Sequence, residues 1–494
     1  MARERLADKA LTIATGSGVE SVTQVALNLF LVRLFDSQEA FGSYRQVWLV
    51  INTLTPLFLF GLSHGIYYFL PGLPDDRHRA FMARTTLFLT GSGLVFSICL
   101  FAGAGAVADL FSNPELAPLF RAAALFPLFA VPNLLLFPFL VSRNLHARGA
   151  AVNALFVISQ TLLIVALAAT GSDLSTIFRS VVLLVGVRYV YSLYEVGRIA
   201  KGPLRGVATV GWRENLSYSI PVGLSTIMIV LGQRLDKLFV SGFMSTVDYA
   251  VYSVGAIEFP GIVLIEASSN TVMRPYISAL HHQGNKSEIH GFWLRSLRKQ
   301  ALVIVPMAMF LAVFARPLVE ILFTPEYGGA VLIFQIYLAV PLLRIAPPGL
   351  ILTSVGRSRI IFYGTIAFVV VNMGLNLLLI GPMGMAGPPV ATLIATAGLM
   401  LYYALCASRY LEIPLARMVP IRTLLPIFLV AAAAMGASSS VILLGWGRIA
   451  TLLAGLPAAG IVYVAAGSAA RVLKREDLEI VRRWITLRWL RRGE

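Results

Sequence analysis

The sequence predicts an all-α integral membrane protein with about fourteen transmembrane helices. Three observations carry this prediction. Apolar runs of about twenty residues recur from end to end, each long enough to cross a hydrocarbon core of roughly 30 Å. Only 13% of the 494 residues are charged against 57% hydrophobic, and the mean hydropathy is +0.79. The runs also lack the period-two alternation of barrel strands, which leaves helices that satisfy their own backbone hydrogen bonds.

In chain order the spans fall at 10–34, 46–70, 85–108, 118–142, 150–171, 177–197 and 215–241. They continue at 249–276, 299–323, 329–354, 360–380, 385–408, 420–444 and 449–470. Short loops join them, so no soluble catalytic domain is inserted. The net charge of +16 sits in these loops and on one side. That side collects Arg77, Arg79, Arg143, Arg148, Arg198, Lys201, Lys286, Arg295, Arg357 and Arg409, whereas the loops at Asp36–Glu39, Ser112–Glu115 and Ser245–Asp248 carry no Lys or Arg. The positive-inside effect explains this placement, nucleic-acid binding does not, and both termini are predicted to be cytoplasmic. The N-terminus shows no apolar core followed by a small-residue cleavage site, so no signal peptide is predicted. Residues 471–494 interleave Trp484, Ile485 and Trp489 with arginines and read as a basic amphipathic cytoplasmic tail on the inner leaflet.

The chain repeats itself. Asn28 precedes Tyr44 by 16 residues, and Asp236 precedes Tyr252 by the same 16. Pro56 and Pro71 are 15 apart, as are Pro260 and Pro275. Phe41-Gly-Ser-Tyr44 answers to Tyr249-Ala-Val-Tyr252. The connector from Val196 to Trp212 separates the copies, giving an N-lobe at 1–198, a C-lobe at 214–409 and two further spans at 420–470.

Charge inside the spans is concentrated in the second copy. Ser17, Ser21, Gln24 and Asn28 share one face of span one, and Arg45, Asn52, Thr55, Ser63 and Tyr67 form a stripe on span two. Span seven carries Tyr218, Ser225, Gln233 and Asp236 on one face, with Arg234 beside them. Span eight carries Glu266, Asn270 and Arg274, with Glu258 near its rim. A charge facing lipid at mid-bilayer costs at least roughly 3 kcal/mol, so these groups are expected to line a hydrated cavity. For the Ser, Thr and Asn side chains taken alone, bonding within the bundle is the plainer expectation. Arg188 and Glu195, two turns apart in span six, are candidates for an ion pair, as are Arg316 and Glu320. Arg344, just before Pro347-Pro348 in span ten, reads first as the mark of a kink. The histidines at 281, 282 and 290 lack the further ligands that a metal site requires, and Cys99 and Cys406 stand alone.

Several stretches resemble the polysaccharide flippases of the multidrug/oligosaccharidyl-lipid/polysaccharide exporter superfamily. They are Gly16–Gln24, Leu31-Val-Arg-Leu-Phe35, Phe41-Gly-Ser-Tyr44 and Gly61–Pro71, then Tyr218-Ser-Ile-Pro221, Leu235-Asp-Lys-Leu238 and Pro275-Tyr-Ile-Ser278. The resemblance covers spans one to twelve. It implies a MATE-like fold of two pseudo-symmetric six-helix lobes, a cavity lined by spans one, two, seven and eight, and alternating access. It implies a lipid-linked oligosaccharide as cargo, in a bacterial inner membrane, with no enzymatic activity.

On that reading, Arg45, Arg234 and Arg274 are expected to meet the pyrophosphate of an undecaprenyl carrier. Gln24, Asn28, Asn270 and Tyr67 are expected to meet sugars. Asp236 completes the cavity set, and Glu258 and Glu266 are candidates for H⁺ or Na⁺ coupling. No cofactor is expected beyond such an ion. The expected partners are the lipid-linked oligosaccharide, membrane lipids and other polysaccharide assembly proteins, with the chain itself a monomer. A cation-coupled multidrug antiporter and a lipid II flippase are the alternatives on the same fold. An integral-membrane glycan polymerase would need a sizeable external loop, and none exists here.

Overall fold

The structure is a computed structural model and describes residues 20, 22–204, 210–418, 420–474 and 476–477. The expected face at Ser17 and Ser21 and the tail beyond residue 477 lie outside the described residues. Among the described residues every regular element is helical. The helices are α1 (Val22–Leu34), α2 (Gln38–Leu59), α3 (Leu62–Phe69), α4 (His78–Ala102), α5 (Ala104–Leu110), α6 (Leu116–Ala123), α7 (Phe126–Asn133) and α8 (Leu136–Ser142). Next come α9 (His146–Ala169), α10 (Leu174–Ile199), α11 (Trp212–Phe243), α12 (Thr246–Gly255), α13 (Pro260–His282), α14 (Lys286–Val313) and α15 (Ala315–Phe323). The chain ends with α16 (Ala330–Leu343), α17 (Gly349–Ser354), α18 (Ser358–Met383), α19 (Gly387–Leu411), α20 (Leu415–Met418), α21 (Ile421–Leu443) and α22 (Arg448–Ala469).

Among the described residues, 8 helical segments can cross a membrane by length and composition, or 11 when each bent pair counts as one span. The shorter apolar helices α1 and α16, and the division of Ser358–Leu411 into α18 and α19, account for the remaining predicted spans. The surface confirms the solvent. Leu87, Leu183 and Leu443 are 74%, 72% and 87% exposed, and such apolar exposure repeats along α9, α18 and α22. Continuous apolar surface of this extent is stable against lipid and not against water.

The helix starts follow local chemistry. Ser37 caps α2 by accepting from Ala40 N at 3.1 Å, and Asp173 caps α10 by accepting from Thr176 N at 3.1 Å. Ser245 and Asp248 cap α12 reciprocally: Asp248 N donates to Ser245 Oγ at 3.1 Å, and Ser245 N donates to Asp248 Oδ2 at 3.3 Å. Asn285 does the same for α14 through Glu288 N.

The chain divides into two compact units: Met1–Ser253 with Asn372–Pro388, and Val254–Val371 with Pro389–Glu494. In the first, Phe81, Phe96 and Phe139 form a fully buried aromatic core with Leu62 and Ile66. Phe58 stacks on Phe96 with ring centroids 4.3 Å apart. Span two breaks at Phe60 and Gly61, both with positive φ, and α2 and α3 meet at a 44° bend. The break lets backbone touch backbone. A Cβ on Gly223 of α11 would lie 2.7 Å from the Gly61 nitrogen, so both positions require glycine. In the second unit α13 packs on α14 and α17, and α14 packs on α21. Trp293, Phe314 and Tyr327 are buried there.

Of two expected pairings, Arg188–Glu195 comes out differently and Arg316–Glu320 forms with a second cation added. Glu195, fully buried, is bound by Arg148 and by Arg198 at 3.1 Å, while Arg188 donates to Asn153 Oδ1 at 3.0 Å and lies over the Phe156 ring. A separation of two turns is about 10 Å of helix, which Arg198 at one turn avoids. Arg316 stands 4.0 Å from Glu320, but Arg448 holds the same carboxylate more closely, at 2.8 Å.

Candidate functional site

In the first unit the site forms where α1, α2, α11 and α12 come together. Arg45 Nη1 donates to Asn28 Oδ1 at 3.2 Å, which joins the predicted faces of spans one and two. The Arg45 carbonyl accepts from Tyr249 Oη at 3.4 Å. Arg234 lies within electrostatic reach of Arg45, Tyr249 and Asp236. Among the described residues neither guanidinium forms an ion pair with a carboxylate, and Arg45 Nε is buried with no acceptor. Asp236, 3% exposed, instead accepts from Tyr252 Oη at 2.8 Å, with Lys237 beside it. The acid thus ties α12 to α11, and it stays within electrostatic reach of Arg234 without an ion pair to either guanidinium.

A buried amide network braces these helices. Gln46 donates to Ser241 Oγ at 2.8 Å and accepts from Asn113 Nδ2 at 2.7 Å, and Asn113 also donates to Ser43 Oγ at 2.9 Å. All four are buried. Gln24 is exposed one turn from Asn28. Tyr67 is 43% exposed on α3. It is separated from Arg45 by roughly 30 Å of helix at 1.5 Å per residue, so the structure does not bring these two together. Thr55 and Ser225 donate to the carbonyls of Ile51 and Pro221 in their own helices, as expected for hydroxyls in apolar spans.

In the second unit a different group forms on α13. Arg344 Nη2 stands 2.8 Å from Glu258 Oε1 and 3.5 Å from Glu266 Oε2. Glu258 sits in the break between α12 and α13, and Arg344 in the break between α16 and α17. Trp293 holds the second break: its indole donates at 2.8 Å to the carbonyl of Ala346, whose φ is +44°. Asn270 lies one turn beyond Glu266, and Arg274 is exposed further along α13. Arg344 is thus more than the mark of a kink. The sequence signal was a cation next to a Pro-Pro break, where unwound backbone makes room for a long side chain. The clustered histidines meet separate partners: His281 Nδ1 meets Tyr410 Oη at 2.6 Å, and His290 meets the Arg417 carbonyl at 3.2 Å.

The sequence pattern of the family described as "Polysaccharide biosynthesis protein" matches residues 30–332. The chain belongs to this family. The match takes in α2, α11, α12 and α13, and so Arg45, Arg234, Glu258 and Glu266, while Arg344 lies beyond it. Solved structures agree on the fold. Lipid II flippase MurJ in an inward closed conformation superposes with a TM-score of 0.72 at 13% identity, covering 93% of this chain and 98% of that one. An inward-facing multidrug resistance MATE family transporter of the MOP superfamily gives 0.65 at 14% identity, over 80% and 94%. A MOP superfamily transporter from Pyrococcus furiosus, described by a binding pocket of reverse polarity, gives 0.58 at 16%, over 82% and 94%. No curated protein sequence matches the chain. The family is thus shown by the sequence match, and the solved structures show that its fold is the one these transporters share.

Proposed function

We propose that the protein flips an undecaprenyl-pyrophosphate-linked oligosaccharide from the inner to the outer leaflet of a bacterial inner membrane, for surface polysaccharide assembly. The observation that supports this is the Arg45–Arg234 pair, two guanidiniums within electrostatic reach of each other and, among the described residues, neither in an ion pair with a carboxylate. Such a pair is costly inside a membrane unless it meets an anion. A diphosphate esterified at both ends supplies two negative charges and the oxygen geometry that guanidinium recognises. Asn28 and the exposed Gln24 provide amides for sugar hydroxyls, while the prenyl chain stays in lipid. Transport proceeds by alternating access, with both termini cytoplasmic.

Arg234→Ala should abolish surface glycan export in a complemented deletion strain, with the variant still present in the membrane. Full export by that variant would remove Arg234 from the site. Lipid II is the second reading, favoured by the coverage of 98% of MurJ by the superposition. A deletion strain that is viable but lacks surface glycan supports the first reading, and an inviable strain supports the second. Unchanged drug susceptibility in the same strain would count against a multidrug antiporter.

A further inference from the structure

The buried face of α13 carries Ile262, Met273, Ile277 and Leu280, and two polar side chains interrupt it. Glu266 and Asn270 fall on the same face, at i and i+4 between Ile262 and Met273. Each ends in a buried oxygen that accepts from nothing, Glu266 Oε1 and Asn270 Oδ1. α14 adds a third such oxygen on this face. Gln300, 5% exposed, turns its Nε2 to Met273 Sδ at 3.5 Å and leaves Oε1 unsatisfied. The matching unsatisfied donor is Arg344 Nε, on a guanidinium already engaged by Glu258 and Glu266.

The group is short in two ways. Glu266 Oε1 and Asn270 Oδ1 are neighbouring buried acceptors with no donor, and one guanidinium shared with the half-exposed Glu258 leaves the largely buried Glu266 only partly compensated. One proton corrects both. We propose that Glu266 is the proton carrier of this transporter, with Arg344 as the counter-ion that its protonation hands over to Glu258. The proton adds to a Glu266 oxygen. The new O–H becomes a donor for the Asn270 oxygen one turn away, the carboxylate charge is lost, and Arg344 remains with Glu258 as a neutral pair. Loss of the proton returns Arg344 to a place between two carboxylates.

The surroundings isolate this exchange. The break before α13 brings Glu258 and the break after α16 brings Arg344. α17 carries no titratable group. α14 brings Gln300, and its nearest charges are Lys299 and Arg298, the latter occupied by Asp477 at 2.7 Å. A metal ion suits the group less well than a proton, because the guanidinium 3.5 Å from Glu266 repels it. Among the described residues no cluster of three or more His, Cys, Asp or Glu side chains could hold one.

Coupling of this proton to transport rests on the flippase reading, but the protonation itself does not. Infrared difference spectra of the purified protein in detergent should show a carboxylic C=O band that titrates, shifts in D₂O and disappears in Glu266→Gln. The band should remain in Glu258→Gln. In proteoliposomes the acceleration of flipping by an imposed pH gradient should disappear in Glu266→Gln. A band that survives in Glu266→Gln, or is absent from the wild type throughout its folded pH range, overturns the proposal. Calorimetric Na⁺ binding that needs Glu266, with no carboxylic band, overturns it in favour of a metal ion. Arg234→Ala separates the two readings: loss of flipping with the band intact keeps the proton site, and full flipping with the band intact faults only the Arg45–Arg234 site.

Discussion

The Arg45–Arg234 group of the first unit and the Glu258–Arg344–Glu266 group of the second are both charged clusters in apolar helices, and their deficits are opposite. In the first, two guanidiniums have Asn28 and Tyr249 as neighbours and no ion pair with a carboxylate among the described residues, and the acid within electrostatic reach of Arg234 accepts from Tyr252. In the second, one guanidinium is shared by two carboxylates, and Glu266 and Asn270 each hold a buried oxygen that accepts from nothing. The first lacks an anion and the second lacks a proton. The difference teaches that net charge alone does not indicate what a buried cluster binds. The partners that remain unfilled do.

Removing the cation from the second group should have the largest effect. Arg344→Ala leaves the largely buried Glu266 uncompensated, while the half-exposed Glu258 keeps its water, and should lower stability by about 3 kcal/mol, read as the unfolding midpoint in detergent. Adding Glu258→Gln and Glu266→Gln to that variant should recover most of the loss. If it recovers nothing, the three side chains do not act as a unit. In the first group the same removal should act on transport instead. Arg45→Ala should reduce export about a hundredfold, the equivalent of roughly 2.7 kcal/mol, with little change in stability because no carboxylate is left behind. A stability loss as large as that of Arg344→Ala would erase the contrast. The amide brace is intermediate. Gln46→Ala strands Asn113 and Ser241 and should cost about 1–3 kcal/mol in the same unfolding assay.

The smallest effect belongs to an ion pair outside the spans. Lys286 donates to Glu412 at 2.5 Å and holds that carboxyl below its ordinary range, chiefly through this hydrogen bond. Because the folded value is depressed, the stabilisation is fully present at neutral pH. It is lost as pH falls through the folded value, below the usual glutamate range. Glu412→Gln should flatten only that acid limb of stability against pH. A change at neutral pH larger than that of Gln46→Ala would mean that the exposed pair does more than solvent screening permits.

Much of the site was legible as position and little of it as partnership. Helical spacing put Asn28, Arg45, Glu266 and Asn270 on inward faces, and the Asn28–Arg45 bond joins two of those faces. Asp236 was equally legible as a charge inside a span, yet Tyr252, its repeat partner 16 residues on, occupies it. Tyr67 shared a stripe with Arg45 in sequence, but a stripe on one helix can run from end to end of a span. Gln46 and Asn113 gave no signal, since one amide on an apolar helix and one in a loop predict no contact across 67 residues.

The sequence by itself determined the class of protein, the order of its spans, their caps and breaks, and the residues that had to avoid lipid. These depend on hydropathy, helical period and local capping, all short-range and written along the chain. The tertiary structure alone decided which charges meet. Glu195 takes Arg148 from another helix in place of Arg188 from its own, and Arg344 reaches α13 from a break 78 residues beyond Glu266. Pairing depends on where helices cross and in what register, and a long flexible cation reaches whichever carboxylate the crossing presents. For that reason the two clusters separate into an anion-seeking group and a proton-seeking group only once the helices are packed.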